Sequence, residues 1–260
     1  MSGLTVFKAE ALKLASLPAT WLASVMAVAI PPLLALANGN TLHHALSTGE
    51  TAGLTSLSTE NEGFGQLTFG VIGVVVLGVI AISSEYARAE QSMGGARQVS
   101  TTMAAEPARC GVIVAKLGVL IAWVSILSVV SMPLTLWLSQ TTLGGYATHF
   151  GASLLPRMAG ATLYWVVMVM LSFGLATIFR SGVLPLVLLL TNASVVSFSL
   201  LIAQATDLAK YLPDIAAYTT FLTESPAREP LDAGTGAVVC AAWGIAACLL
   251  AMVAYARRDA

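Results

Sequence analysis

Six stretches of this chain are each about twenty residues long and almost free of charge, a pattern that a water-soluble fold does not bury. They cover residues 19–37, 65–83, 117–138, 158–179, 183–203 and 234–255. At about 1.5 Å of rise per residue, each is long enough to cross a hydrocarbon core of roughly 30 Å as a helix. Hydrophobic residues make up 57% of the sequence and charged ones only 10%, with a mean hydropathy of +0.84; a soluble domain carries about a quarter charged residues. The sequence therefore reads as an all-α integral membrane protein, one transmembrane domain over residues 1–260. Its net charge of -1, with twelve Lys and Arg scattered along the chain, offers no basic face for nucleic acid.

Residues 4–17 are expected to lie at the membrane interface as a short helix. Leu4, Phe7, Ala11 and Leu14 recur at helical spacing, Glu10 and Lys13 fall on another face, and Lys8 is placed to snorkel. The alternative, a signal-peptide start, is disfavoured because the next apolar run is long enough to span and no clean cleavage site follows. Pro18 opens the first span, and Pro31-Pro32 inside it should kink or end that helix near its outer third. Gly65, Gly70, Gly73 and Gly78 in the second span favour close helix packing over a pore lining. A tight turn is expected at Arg180-Ser181-Gly182. The polar segments 38–64, 139–157 and 204–233 read as outside loops, the last with short helices dipping into the headgroup layer. Cys240 and Cys248 share one helix at a separation of about 12 Å, too far to bond, so Cys110, Cys240 and Cys248 read as free thiols.

With both termini inside, nine Lys and Arg (Lys8, Lys13, Arg88, Arg97, Arg109, Lys116, Arg180, Arg257, Arg258) face the cytosol and three (Arg157, Lys210, Arg228) face outward. The positive-inside bias thus gives a multi-pass plasma-membrane protein with cytosolic termini.

The chemistry that is missing narrows the function. No Gly-Lys pair occurs, so there is no phosphate-binding P-loop and no nucleotide site of that type. His43, His44 and His149 all fall in expected outside loops, which removes a haem or metal site within the bundle; His43-His44 with Glu50 reads as solvated rather than metal-binding. No cofactor is expected in this chain. Few charges at depth also count against an ion-coupled carrier. Asn192, with Thr191 and Ser194, is the most polar deep cluster, and Asn192 and Ser194 are the candidates for contact with a passing substrate, though hydrogen bonding to a neighbouring helix is the simpler role.

The cytosolic loop 84–116 then becomes the informative segment. Gly94-Gly95 breaks the chain, Arg97 to Ala105 can form about two helical turns with Val99 and Met103 on one face, and Glu106 before Pro107 ends them. An amphipathic helix of this kind suits a groove on a partner. The series Ser84-Glu85-Tyr86, Gly94-Gly95-Ala96-Arg97-Gln98, Thr101-Thr102, Pro107, Arg109 and Ala115-Lys116, together with Phe7-Lys8-Ala9-Glu10-Ala11-Leu12-Lys13-Leu14, resembles the six-span permeases of ABC-2-type transporters, in particular the actinobacterial type. Ala96 and Glu106 depart from the commoner pattern of that family.

The resemblance implies a type V exporter-like fold in which an N-terminal connecting helix (Lys8, Glu10, Lys13) and a coupling helix between spans two and three meet separate ATPase subunits. Glu85, Arg97, Val99, Met103 and Arg109 would make that coupling, Glu85 by joining the two helices. ATP and Mg would belong to two copies of the partner ATPase, and a second permease copy would complete the passage. The expected function is export of an amphiphile such as a drug, a peptide antibiotic or a lipid, by a subunit that is not itself an enzyme. The alternatives are a non-transporting sensor or immunity subunit that binds a toxic peptide through residues 38–64 and 204–233, and a membrane enzyme or channel, which the scarcity of deep titratable residues disfavours.

Overall fold

The computed structural model describes residues 3–50, 57–86, 109–193 and 197–256. All regular structure among them is helical: α1 (Gly3–Ser16), α2 (Pro18–Thr48), α3 (Glu62–Tyr86), α4 (Arg109–Leu143), α5 (Leu154–Phe179), α6 (Val183–Asn192), α7 (Phe198–Ala205), α8 (Pro213–Phe221) and α9 (Ala233–Ala256), with short 3-10 turns at Gly144–Tyr146, Gly151–Ser153 and Asp207–Tyr211. Five of these, α2, α3, α4, α5 and α9, are long and apolar enough to cross a membrane.

Apolar residues form the core between the helices, among them Val71, Val74, Leu77, Leu120, Trp165 and Phe173, and they also cover the outside of the bundle. Leu22, Val25 and Leu33 on α2, Ile126, Val129 and Val130 on α4, and Val238, Ile245 and Leu250 on α9 are all exposed. Ser24, Ser128, Ser131, Thr135, Ser172 and Thr177 are buried between helices instead. Lipid would cover the exposed set, while the buried hydroxyls satisfy backbone carbonyls or one another inside the bundle, as Ser24 Oγ does on Thr20 O (2.8 Å) and Thr135 Oγ1 on Ser131 O (2.7 Å).

The first span is longer than the sequence led us to expect. Pro31 and Pro32 neither end α2 nor stop it from running on to Thr48, where Gly49 turns into the left-handed region (φ 77°) and donates its N–H to Ala45 O. The reason is visible on the neighbouring helix. A proline at 31 and another at 32 leave the carbonyls four residues earlier, those of Ala27 and Val28, without their helical donors. Ser131 Oγ on α4 lies within reach of both, 3.3 Å from Ala27 O and 3.4 Å from Val28 O. A hydroxyl from α4 thus supplies one donor, shared between the two carbonyls, for the two that the prolines remove, and residues 38–48, read as loop, are helix.

Three of the four glycines singled out in the second span do what their spacing implied. A Cβ at Gly73 would overlap the backbone of Ala23 and Ala27 on α2, one at Gly78 the Ser172 hydroxyl on α5, and one at Gly70 the Trp165 ring. Gly65 touches nothing of the kind. Trp165 also donates its indole N–H to Leu67 O (2.9 Å), and Trp123 on α4 donates to Ser24 Oγ (3.0 Å), so α3 is locked to α5 and α2 to α4.

Other boundaries shift too. α4 begins at Arg109 and runs to Leu143, so Arg109 and Lys116 enter the third span on a helix as expected, Cys110, read in the loop, stands on its first turn, and 139–143 is helix. His43 and His44 lie on α2; His43 Nδ1 is 3.1 Å from Leu143 O. α5 starts at Leu154 and closes at Arg180, which adopts the left-handed region (φ 50°) of the expected turn. The largest departure concerns residues 183–203: α6 stops at Asn192 and α7 resumes at Phe198, so the expected fifth span is two short helices, not one.

Candidate functional site

Among the described residues, buried polar side chains gather into several centres. The first is at the N-terminal end of the bundle, where α1 packs across α4. Glu10, expected off the apolar stripe, points inward and is buried; its Oε2 accepts a hydrogen bond from Nζ of Lys116, itself buried near the start of α4. The expected apolar stripe of α1 is correspondingly rotated: Leu14 is buried, whereas Leu4 is exposed and Phe7 lies half-covered against Gly118. The partner on α4 decides this orientation, because an acid that finds a buried cation no longer has to face water. Beside the pair lies a small, half-open cleft lined by Glu10, Lys13, Leu17, Ala81, Ser84 and Lys116. Lys8 stands exposed on the opposite side of α1.

Of the residues assigned to coupling, Arg97, Val99 and Met103 lie outside the described residues. Glu85 is the last residue but one of α3 and Arg109 opens α4, and their side chains are likewise outside what is described. The backbone nonetheless sets the frame: the loop leaves from the end of α3 beside Ser84 and returns into the helix that carries Lys116, both of which line the same cleft.

The second centre is built at the α6–α7 break. Asn192, the last residue of α6, accepts at Oδ1 from the Ser199 N–H (3.0 Å) and from the hydroxyls of Ser197 and Ser199 (3.1 Å each). Its Nδ2 donates to Oδ2 of Asp214 (3.0 Å). The helix break is thus stapled by one amide, which is why an apolar segment can part here without leaving the Asn side chain unsatisfied. Ser194 lies outside the described residues.

Asp214 is the residue that sequence reading missed. It falls, as expected of this segment, in a short helix, but it is 1% exposed, in the first turn of α8, which is held tightly between α5 and α9 rather than lying at the headgroup layer. Cβ atoms at Gly160 or Gly236 would strike Thr220 or the Ala216 carbonyl of α8. Tyr164, Tyr218 and Phe221 form an aromatic cluster alongside, with ring centroids 5.6 to 5.9 Å apart. Burial pushes the Asp214 carboxyl above the ordinary carboxylate range, opposed in part by Ser199 and Asn192. A signal was present in the sequence: Pro213 is a good first helical residue, and Asp214, Tyr218 and Phe221 then fall on one face at helical spacing.

At the same end, Arg157 ties three elements together. Read as an outside charge, it is buried at the start of α5, its Nε donating to Phe221 O (2.7 Å), Nη1 to Glu60 Oε1 (3.0 Å) and Nη2 to Asn61 Oδ1 (3.0 Å), with the guanidinium 4.0 Å from the Phe64 ring centroid. Asn61 Oδ1 also accepts from Thr223. This clamp fixes the connection that leads into α3 against the end of α8.

Among the described residues no group of three or more His, Cys, Asp or Glu side chains is arranged to hold a metal ion. No family model, no curated protein and no solved structure matches the chain.

Proposed function

We propose that this chain is the permease subunit of an ATP-driven exporter of an amphiphile, working with a second permease copy and with separate ATPase subunits that carry the ATP and Mg. In this reading it lies in the plasma membrane with both termini cytosolic, and the 84–116 loop is the docking element. The observation that carries the reading is the buried Glu10–Lys116 pair. It fastens the interfacial helix α1 to the root of α4, where the loop re-enters the bundle, so a push received by the loop would move α1, α3 and α4 together. The resemblance of the 84–116 and 7–14 segments to ABC-2 permeases supports the same assignment.

Breaking a buried ion pair by removing one partner costs about 3–5 kcal/mol, because the other charge is left unpaired. Glu10→Gln and Lys116→Met should therefore loosen α1 and uncouple transport from ATP hydrolysis in vesicles that contain the co-purified partner, while the exchanged pair Glu10→Lys/Lys116→Glu restores part of the coupling. Full ATP-driven export by both single variants would contradict the proposal, and so would purification of the wild type from its native membrane with no ATPase attached.

A further inference from the structure

Asp214 has dipoles but no cation beside it among the described residues: Ser199, Asn192 and the backbone N–H groups of Asp214 and Ile215 favour its charged form only in part against burial. The titratable side chains near it are the hydroxyls of Tyr164 on α5 and Tyr218 on α8 and the thiol of Cys240 on α9. Each is neutral at physiological pH and would add negative charge on ionising. From α6 and α7 come the uncharged Asn192 and Ser199. No Lys, Arg or His forms an ion pair with Asp214 among the described residues. One carboxyl oxygen, Oδ2, accepts from Asn192, while Oδ1 is buried without a hydrogen-bond partner.

A carboxylate withdrawn from water with neither a counter-charge nor a full set of donors takes up a proton instead. Water has little access to it, since Asp214 is all but fully buried. We propose that Asp214 is a proton-binding site, occupied at neutral pH, whose neutral form lets α8 close against the break between α6 and α7.

The step is a proton transfer alone. On loading, an O–H bond forms at Oδ1 and the proton comes from water; on release that bond breaks, the proton returns to water, and a charge of -1 remains on the carboxyl. Hydrating that charge requires α8 to move away from Asn192 and Ser199. The contact between α8 and the broken helix is thereby coupled to pH, whether or not the chain exports anything.

Infrared spectroscopy of the full chain in lipid nanodiscs tests this, with carboxyl-13C aspartate to mark the aspartate bands. The expected result is an aspartate C=O band of the protonated acid at neutral pH, lost as pH is raised and missing from Asp214→Asn. Hydrogen exchange of residues 214–221 should rise over the same pH interval beyond the intrinsic base-catalysed increase, and that extra rise should vanish in Asp214→Asn. Replacing choline by Na⁺ at constant ionic strength should leave the titration in place. Absence of the protonated aspartate band from the wild type at neutral pH would overturn the proposal, even if the variant failed to fold. A titration displaced by Na⁺ would overturn it in favour of a metal cation as the ligand, and an Asp214→Asn protein that kept the band would assign it elsewhere.

Discussion

Ser131 is a small residue with a large consequence. The prolines of α2 were legible in the sequence, but the hydroxyl that makes them harmless comes from a residue a hundred positions away, and nothing local marks it. Ser131→Ala should leave the Ala27 and Val28 carbonyls buried without a donor and cost about 1–3 kcal/mol, with the lower end favoured by the modest value of interhelical hydrogen bonds in membranes. Thermal unfolding in detergent, compared with that of Ser128→Ala, measures it. Asp232 offers a test by pH. It lies at the surface before α9, where Thr235 donates its N–H to Oδ2 (2.9 Å) and its hydroxyl to Oδ1 (2.6 Å). These bonds hold its carboxyl below its ordinary value of 3.8. A lowered folded value means that the cap stabilises the helix above the ordinary carboxylate range and loses that effect as pH falls through the folded value. Hydrogen exchange at Thr235 and Gly236 should then accelerate relative to the middle of α9 on acidification below pH ~4, and Asp232→Asn should show no such pH dependence.

At the scale of elements, the helices that cross were readable because twenty apolar residues admit few other conformations, and glycines at 70, 73 and 78 announced a tight contact. Gly73→Leu should force α2 away from α3 and destabilise by about 1–3 kcal/mol as an overpacked contact. Gly65→Ala, which meets nothing, should be neutral or stabilising by roughly 0.5–1 kcal/mol. Melting curves of the pair would decide whether close approach or mere helix propensity governs α3. The segment 183–203 was not readable in the same way. Val183 to Leu190 is apolar enough to extend a span, and only the later side chains of Asn192, Ser197 and Ser199 fold back on one another and on Asp214 to divide it. Glu10 shows the same limit: hydrophobic periodicity placed it off the apolar stripe because Lys116 is far away in sequence.

For the whole molecule, an exterior of Leu, Val and Ile around an interior with buried Ser and Thr is the arrangement that lipid rewards. Orientation rests on the nine-to-three distribution of Lys and Arg. In a background free of Cys110, Cys240 and Cys248, a cysteine placed at Gly95 should resist an impermeant reagent applied outside intact cells, while one at Gly49 should react; labelling at 95 from outside would invert the topology and remove the docking loop from the cytosol.

The claim on which the functional reading turns is that residues 97–105 dock on an ATPase. Burying Val99 and Met103 would contribute roughly 1.5–3 kcal/mol each, and every 1.4 kcal/mol is about a tenfold change in affinity. The direct measurement is the amount of ATPase that co-purifies with the tagged chain from its native membrane, wild type against Val99→Ala/Met103→Ala, at equal expression and with the bundle's melting temperature as a control. A loss of association by tenfold or more with an unchanged melting temperature is the predicted result. Equal recovery of the ATPase with both proteins would contradict it.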